Sequence, residues 1–161
     1  MKNRIEKLTL SAMVIALYCT IMYLTQSFAF GQYQLRLATS LYALAYMFPF
    51  LVLPLGLANM LSNVLMGGLG LIDMLGGGAA GIITAGCCAL IRRFHLNVWL
   101  LALPVALVPS LMVPVWLSAL LGVPYQVLVI SLLVGQCFCG LFSVLLIKAL
   151  RHTRLSKENK P

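Results

Sequence analysis

The chain has 161 residues, of which 62% are hydrophobic and only 9% are charged, and its mean hydropathy is +1.03. Soluble domains average about 25% charged residues, and a chain this short cannot bury so much apolar surface within itself. The composition therefore excludes an ordinary soluble domain and indicates an integral membrane protein.

The net charge of +8 comes mainly from three clusters of basic residues that flank long apolar runs. A nucleic-acid-binding surface would instead present a continuous basic face with polar neighbours. Basic clusters beside apolar runs are typical of cytoplasmic loops under the positive-inside rule. Their members are Lys2, Arg4 and Lys7; Arg92 and Arg93; and Lys148, Arg151, Arg154, Lys157 and Lys160.

The first apolar run follows the N-terminal basic cluster, as in a signal peptide, but it continues to about Phe30 without a small-residue cleavage site. A span needs about 20 apolar residues, so we expect a retained first helix over about residues 8–28. Further spans are expected at about residues 37–52, 54–66, 73–91, 98–117 and 125–150, followed by a basic cytoplasmic tail at 151–161.

The stretch 37–66 is too long for one span and slightly short for two. With six spans, the Arg92–Arg93 pair and the C-terminal cluster lie on the same side as the N-terminus, as the positive-inside rule favours. A short third span would need protein neighbours or a water-lined cavity to satisfy its backbone. The sequence therefore predicts an all-α polytopic membrane protein, a single domain of six transmembrane helices with both termini in the cytoplasm.

Polar side chains concentrate at the predicted outer ends of the spans. Arg36 and Asp73 are the only charges away from the cytoplasmic face, and ionisable residues in a bilayer are candidate functional residues. Alternatively, both lie in the headgroup zone or pair with each other. Asn59 and Asn63 are four residues apart and share one helix face, where they could bind a solute or join neighbouring helices. The other polar residues of this region are Gln32, Tyr33, Gln34, Thr39, Ser40 and Tyr42.

The sequence argues against catalysis. The only acidic residues are Glu6, Asp73 and Glu158, so no pair of carboxylates is available for general acid–base catalysis. No HExxH, GxSxG or Walker A motif occurs, so we expect no ATPase activity in this chain. The cysteines show no metal-ligand spacing, and we expect neither a metal site nor a cofactor.

Two sets of residues carry a resemblance to a known family. Ala12 and Ala16 form an A-x-x-x-A motif in the first span. In a short six-helix membrane protein this resembles the substrate-binding S component of an energy-coupling factor (ECF) transporter.

Residues 34–38 read QLRLA, residues 57–61 read LANML, and residues 70–77 read GLIDMLGG. This pattern is similar to that of the QueT family, queuosine-precursor transporters that take up 7-deazaguanine bases. The resemblance covers roughly residues 8–92, and the rest of the chain matches only in its helix pattern.

The resemblance implies an S component in a bacterial cytoplasmic membrane that binds queuine, preQ1 or preQ0 from the outer side. Its implied partners are a coupling transmembrane subunit, docked through Ala12 and Ala16, and two cytoplasmic ATPases. Asp73 would accept hydrogen bonds from ring or amine N–H groups, and Arg36 would hold a carbonyl or pair with Asp73. The remaining implied site residues are Asn59, Asn63 and Gln32 for the other edge of the base, Tyr33 and Tyr42 for stacking on its face, and Gln34 and Thr39.

One position departs from the family pattern. The family usually reads R-I-S-E-A-L where residues 36–41 read RLATSL, so Thr39 stands in the place of a glutamate. A carboxylate there would pair with an N–H edge or an aminomethyl cation, so its loss leaves the substrate open. The alternatives are an S component for another small vitamin-like solute, a small stand-alone secondary transporter or channel-like protein, and a non-transporting accessory subunit.

Overall fold

The computed structural model describes residues 3–29, 35–66 and 69–158. All of the regular elements in these ranges are helical, and they form six segments joined by short connections. We name the segments α1 (Arg4–Leu24), α2 (Leu37–Met47), α3 (Pro49–Leu65), α4 (Leu71–Arg93), α5 (Val98–Leu121) and α6 (Tyr125–Glu158). A single helical turn, Gln26–Ala29, follows α1.

The boundary between α2 and α3 differs from the one predicted from the sequence. The break falls at Phe48, not between residues 52 and 54, because Pro49 lacks an N–H and disfavours helical backbone in the residue before it. Phe48 accordingly has φ −133° and ψ 84°. Pro54 lies near the start of the α-helical part of α3, where a missing N–H costs little.

Four helices, α1, α4, α5 and α6, are long and apolar enough to cross a membrane. The shorter segments α2 and α3 have lengths of about 20 and 27 Å, compared with about 30 Å for the hydrocarbon core. The all-helical membrane bundle is thus confirmed, whereas the count of six complete spans stays a prediction.

The short segment α2 lies at the centre of the bundle, where it packs against α1, α4 and α6. Its first part, Leu37–Ala43, is a 3₁₀ helix in which residues 38–43 are all buried. Side chains of α6 contact the backbone of this segment. Cys139 Sγ donates to the carbonyl of Arg36, just before α2, at 3.3 Å. Ser143 Oγ lies 3.2 Å from the Ser40 carbonyl and 2.9 Å from the carbonyl of Cys139, so its single proton can be donated to either oxygen. These bonds allow irregular backbone to be buried in an apolar bundle.

Described members of the three basic clusters lie at one end of the bundle. Arg92, at the end of α4, donates to the carbonyl of Tyr46 at 3.1 Å. Lys148 of α6 lies 3.9 Å from the ring centroid of Trp99 at the start of α5. Lys7 Nζ of α1 lies 5.8 Å from the ring centroid of Phe50 at the start of α3. The segment after α4 therefore lies on the same side as the start of α1 and the later part of α6.

Gly140 allows α6 to approach α5, and its replacement tests this packing. A Cβ at Gly140 would lie 2.8 Å from the carbonyl oxygen of Ala102, whereas a Cβ at Gly86 of α4 would have no atom within 4 Å. We expect Gly140→Ala to destabilise the protein by about 1–3 kcal/mol, because backbone must move to relieve the overlap. Gly86→Ala is expected to be neutral or to stabilise by up to about 1 kcal/mol. Thermal unfolding in detergent measures both, and equal stability of the two variants would contradict the packing.

Candidate functional site

An enclosed cavity lies among α2, α3, α4, α5 and α6, on the side of the bundle away from the basic end. We call its polar lining side chains the polar wall; they come from Arg36, just before α2, and from α2, α3 and α6. Its apolar lining side chains come from α4, α5 and α6. Its volume is about 10 Å³, measured as the space open to the centre of a water molecule, so it has room for about one water. The lining residues are Arg36, Thr39, Tyr42, Asn59, Ala80, Pro109, Val113, Leu132 and Gln136.

Asn59 and Tyr42 form the first half of the polar wall. Asn59 Nδ2 donates to the Tyr42 hydroxyl at 2.8 Å and to the Gly77 carbonyl at 2.7 Å. The Tyr42 hydroxyl also shares a hydrogen bond of 3.1 Å with the hydroxyl of Tyr18 from α1. No donor in the described part of the chain reaches Oδ1 of Asn59, although this residue is only 4% exposed. A buried acceptor without a donor is costly, so a ligand N–H at this position would be favourable.

Thr39, Gln136 and Arg36 form the second half of the wall. Thr39 Oγ1 lies 2.8 Å from Gln136 Oε1 and 2.7 Å from the Arg36 carbonyl, so its single proton can be donated to either oxygen. Gln136 is 1% exposed and Arg36 is 7% exposed. The wall thus combines one buried guanidinium with neutral hydroxyl and amide groups.

A second cluster of buried polar residues lies further from the basic end, near the start of α4. It consists of Asp73, Asn63 and Trp116, and we call it the Asp73 group. Trp116 Nε1 donates to Asp73 Oδ1 at 2.9 Å, and the backbone N–H of Leu69 donates to Oδ2 at 3.3 Å. Asn63 Nδ2 donates to the Asp73 carbonyl at 3.1 Å. The carboxylate also lies in the first turn of α4, where the helix dipole favours a negative charge. Asp73 therefore helps to fix the connection between α3 and α4 against α5.

The sequence-predicted site residues fall into four groups. Arg36, Thr39, Tyr42 and Asn59 come together around the cavity. Asn63 and Asp73 are buried next to each other but do not line it. Ala12 and Ala16 are exposed on α1. The last group lies outside the described residues and consists of Gln32, Tyr33 and Gln34.

Two of the predicted site residues have partners within the fold. Both carboxylate oxygens of Asp73 accept hydrogen bonds, from Trp116 and from the backbone of Leu69, and its pairing with Arg36 stays a prediction. Tyr42 contributes its hydroxyl to a hydrogen-bond network, and the stacking of its ring on a ligand stays a prediction.

Sequence reasoning missed three residues that contribute to these polar groups. Gln136 is a lone amide within the apolar run of α6, which is itself a signal in a membrane helix. Trp116 and Tyr18 have no comparable signal, because aromatic residues are common in spans and only the fold shows what their polar atoms contact.

A helical bundle with apolar spans and an enclosed polar cavity has the architecture of a membrane transport protein rather than that of a structural anchor. The comparison with protein families agrees: the model described as QueT transporter matches residues 8–152, nearly the whole chain. The chain belongs to the QueT transporter family. Neither a curated protein nor a solved structure matches it.

The family match confirms the resemblance seen in residues 8–92 and extends it through α5 and α6. The chain is therefore a membrane transporter, and its cavity is the best candidate for the place where a small solute binds. The roles of the individual site residues stay predictions.

The contact between Trp116 and Asp73 can be tested with a matched pair of variants. We expect Trp116→Phe to lower the free energy of unfolding by about 1–3 kcal/mol, because the buried carboxylate loses a donor. Trp99→Phe keeps an aromatic ring beneath Lys148 at an exposed position, and its effect should stay below about 0.5 kcal/mol. Thermal unfolding in detergent compares the two variants, and equal effects would show that the indole N–H contributes nothing at Asp73.

Proposed function

We propose that the chain is the substrate-binding S component of an ECF transporter and that its substrate is a queuosine precursor, a 7-deazaguanine base. The observation that carries the proposal is the cavity itself, in which a guanidinium, two amides and two hydroxyls face one small enclosed space. Such a mixture of donors and acceptors suits a planar solute whose edge carries both carbonyl and N–H groups. The family match supports transport but leaves the substrate open.

The proposed recognition follows from the chemistry of the wall. The Arg36 guanidinium donates to a ring carbonyl, and Oδ1 of Asn59 accepts from a ring or exocyclic N–H. The Thr39 hydroxyl and the Gln136 amide contact the remaining polar edge. Ala80, Pro109, Val113 and Leu132 cover the faces of the ring. An apolar slot with a few convergent polar groups is the usual form of a small-molecule site.

The cavity must widen to admit a base, since it now holds the volume of about one water. We propose that the Asp73 group controls access. Asp73, Asn63 and Trp116 lie between the cavity and the connection from α3 to α4, and residues 32–34 belong to the connection before α2. Substrate would enter from this outer side, with Gln32, Tyr33 and Gln34 completing the site.

The exposed face of α1 suits the proposed docking to a coupling subunit. Only 17% of its apolar window is buried, compared with 39–44% in the other three long helices. Ala16 also borders an apolar groove of about 650 Å³ between α1, α2 and α6, lined mainly by leucine side chains. Helices in lipid associate through small residues that allow close contact. Two cytoplasmic ATPases would complete the importer below the basic end, which we assign to the cytoplasmic side of the bacterial cell membrane.

A stand-alone secondary transporter would need a polar path from the cavity to the basic end. Between these points the described core contains Cys88, Ile91, Leu101 and Val105, and the buried hydroxyls of Thr84 and Ser143 bond to backbone carbonyls of their own helices. This favours a subunit that binds its substrate and depends on partners to release it. Uptake that persists in cells lacking the coupling subunit and the ATPases would favour a stand-alone secondary transporter instead.

The substrate assignment is tested by calorimetry with the purified protein. We expect 7-deazaguanine bases to bind, and we expect Asn59→Leu to weaken binding by about ten- to a hundredfold, because an N–H of the base loses its acceptor. Asn97→Leu is the matched control, since Asn97 is an exposed amide at the start of α5.

Because Asn59 also bonds to Tyr42 and Gly77, thermal unfolding must show that the Asn59→Leu variant remains folded. Absence of binding by the wild-type protein to every base tested would remove the queuosine-precursor assignment. Equal affinity of folded Asn59→Leu and wild type would remove Asn59 from the site.

The docking assignment is tested by enlarging the small residues of α1. We expect Ala12→Leu combined with Ala16→Leu to abolish co-purification with the coupling subunit and uptake into cells, because the added side chains prevent close helix contact. Ligand binding by the isolated protein should be unchanged, since both residues lie outside the cavity. Ala119→Leu, an exposed change on α5, should leave all three measurements as in wild type. Normal co-purification of the double variant would rule out docking through this face.

A further inference from the structure

We infer that the ligand of the cavity carries no positive charge and is either neutral or anionic. This inference rests on the proposed function and narrows its substrate class. It depends on the charge of the cavity wall, where Arg36 is the one ionised group among the lining residues and no carboxylate is present.

The absence of a carboxylate follows from the sequence as well as from the geometry. The whole chain has three acids, Glu6, Asp73 and Glu158. Glu6 lies in the first turn of α1, and Glu158 is the last residue of α6. Neither position is near the cavity, so Asp73 is the only acid that could serve as a counter-ion.

Asp73 is not available to the cavity as the bundle is folded. Its two oxygens accept hydrogen bonds from Trp116 and from the backbone of Leu69. Along α4, Asp73 lies seven residues before the cavity residue Ala80. This spacing places Asp73 about 10 Å further out along the helix than Ala80. A cation bound in the cavity would therefore lack a counter-ion and would face the charge of Arg36.

Like charges in a buried site repel strongly, because little water is present to screen them. Neutral oxygens in the wall could accept from an ammonium group, but Gln136 Oε1 already lies at hydrogen-bond distance from Thr39. At the position of Thr39 the wall has a hydroxyl, and no carboxylate among the lining residues would neutralise a cationic ligand. A neutral ligand with a carbonyl, or an anionic one, matches Arg36 without this penalty.

Two 7-deazaguanines with the same ring separate these cases. The 7-cyano base (preQ0) is uncharged, whereas the 7-aminomethyl base (preQ1) carries an alkyl amine that is protonated at neutral pH, as in lysine. Calorimetry with both bases on the wild-type protein is expected to give an affinity at least tenfold higher for the cyano base. Equal or tighter binding of the aminomethyl base would overturn the inference but leave the proposed function intact. Binding of neither base would overturn the proposed function and, with it, the inference.

A charge variant gives the converse test. Gln136→Glu is nearly isosteric, and a carboxylate at this position still accepts from Thr39 while adding a negative charge to the wall. We expect this variant to reduce the preference for the cyano base by at least tenfold and to improve binding of the aminomethyl base. Gln126→Glu, the same change at an exposed position near the start of α6, should keep the wild-type preference. An unchanged preference in folded Gln136→Glu would show that wall charge does not select the ligand.

Discussion

The hydrogen bonds from α6 to α2 are the constraint on which the cavity depends. α2 is too short to span the hydrocarbon region, and most of it is a 3₁₀ helix, whose internal hydrogen bonds have poorer geometry than those of an α-helix. Cys139 donates to the carbonyl of Arg36 just before α2, Ser143 lies within hydrogen-bond distance of the Ser40 carbonyl, and Gln136 lies against Thr39. The same contacts place the cavity-lining side chains of α2 opposite those of α6. A regular α-helix in this position would bond these carbonyls within itself.

The hydrogen bonds that fix the polar wall leave one of its buried oxygens, Oδ1 of Asn59, without a donor in the described ranges. Asn59 donates both amide protons within the fold, one to Tyr42 and one to Gly77. A group held rigidly in this way keeps its direction before a ligand arrives, so little ordering is required on binding. The apolar wall from α4, α5 and α6 has no comparable bonds, and we expect the cavity to widen on that side.

The sequence predicted the all-helical class and the family, because apolar run lengths, basic clusters and local motifs are readable along the chain. It also predicted four of the cavity residues, Arg36, Thr39, Tyr42 and Asn59, since polar groups in apolar runs are informative one by one. The break at Phe48 was misplaced because Pro49 and Pro54 gave similar signals and only packing selects between them. Gln136 follows Thr39 by 97 residues, so their contact depends on how α6 lies against α2, which no local pattern specifies.

Polarity is distributed unevenly along the bundle axis, and this asymmetry limits what the chain can do alone. The side away from the basic end contains the cavity and the Asp73 group, whereas the described interior nearer the basic end is mainly apolar, and its buried hydroxyls, Thr84 and Ser143, bond to backbone carbonyls. A polar solute held in the cavity would find few hydrogen-bonding partners on a route through that layer. Under the proposed function, release to the cytoplasm therefore requires a rearrangement of the bundle or of its position in the membrane. Under the same proposal, the free energy for that step would come from the two cytoplasmic ATPases of the importer.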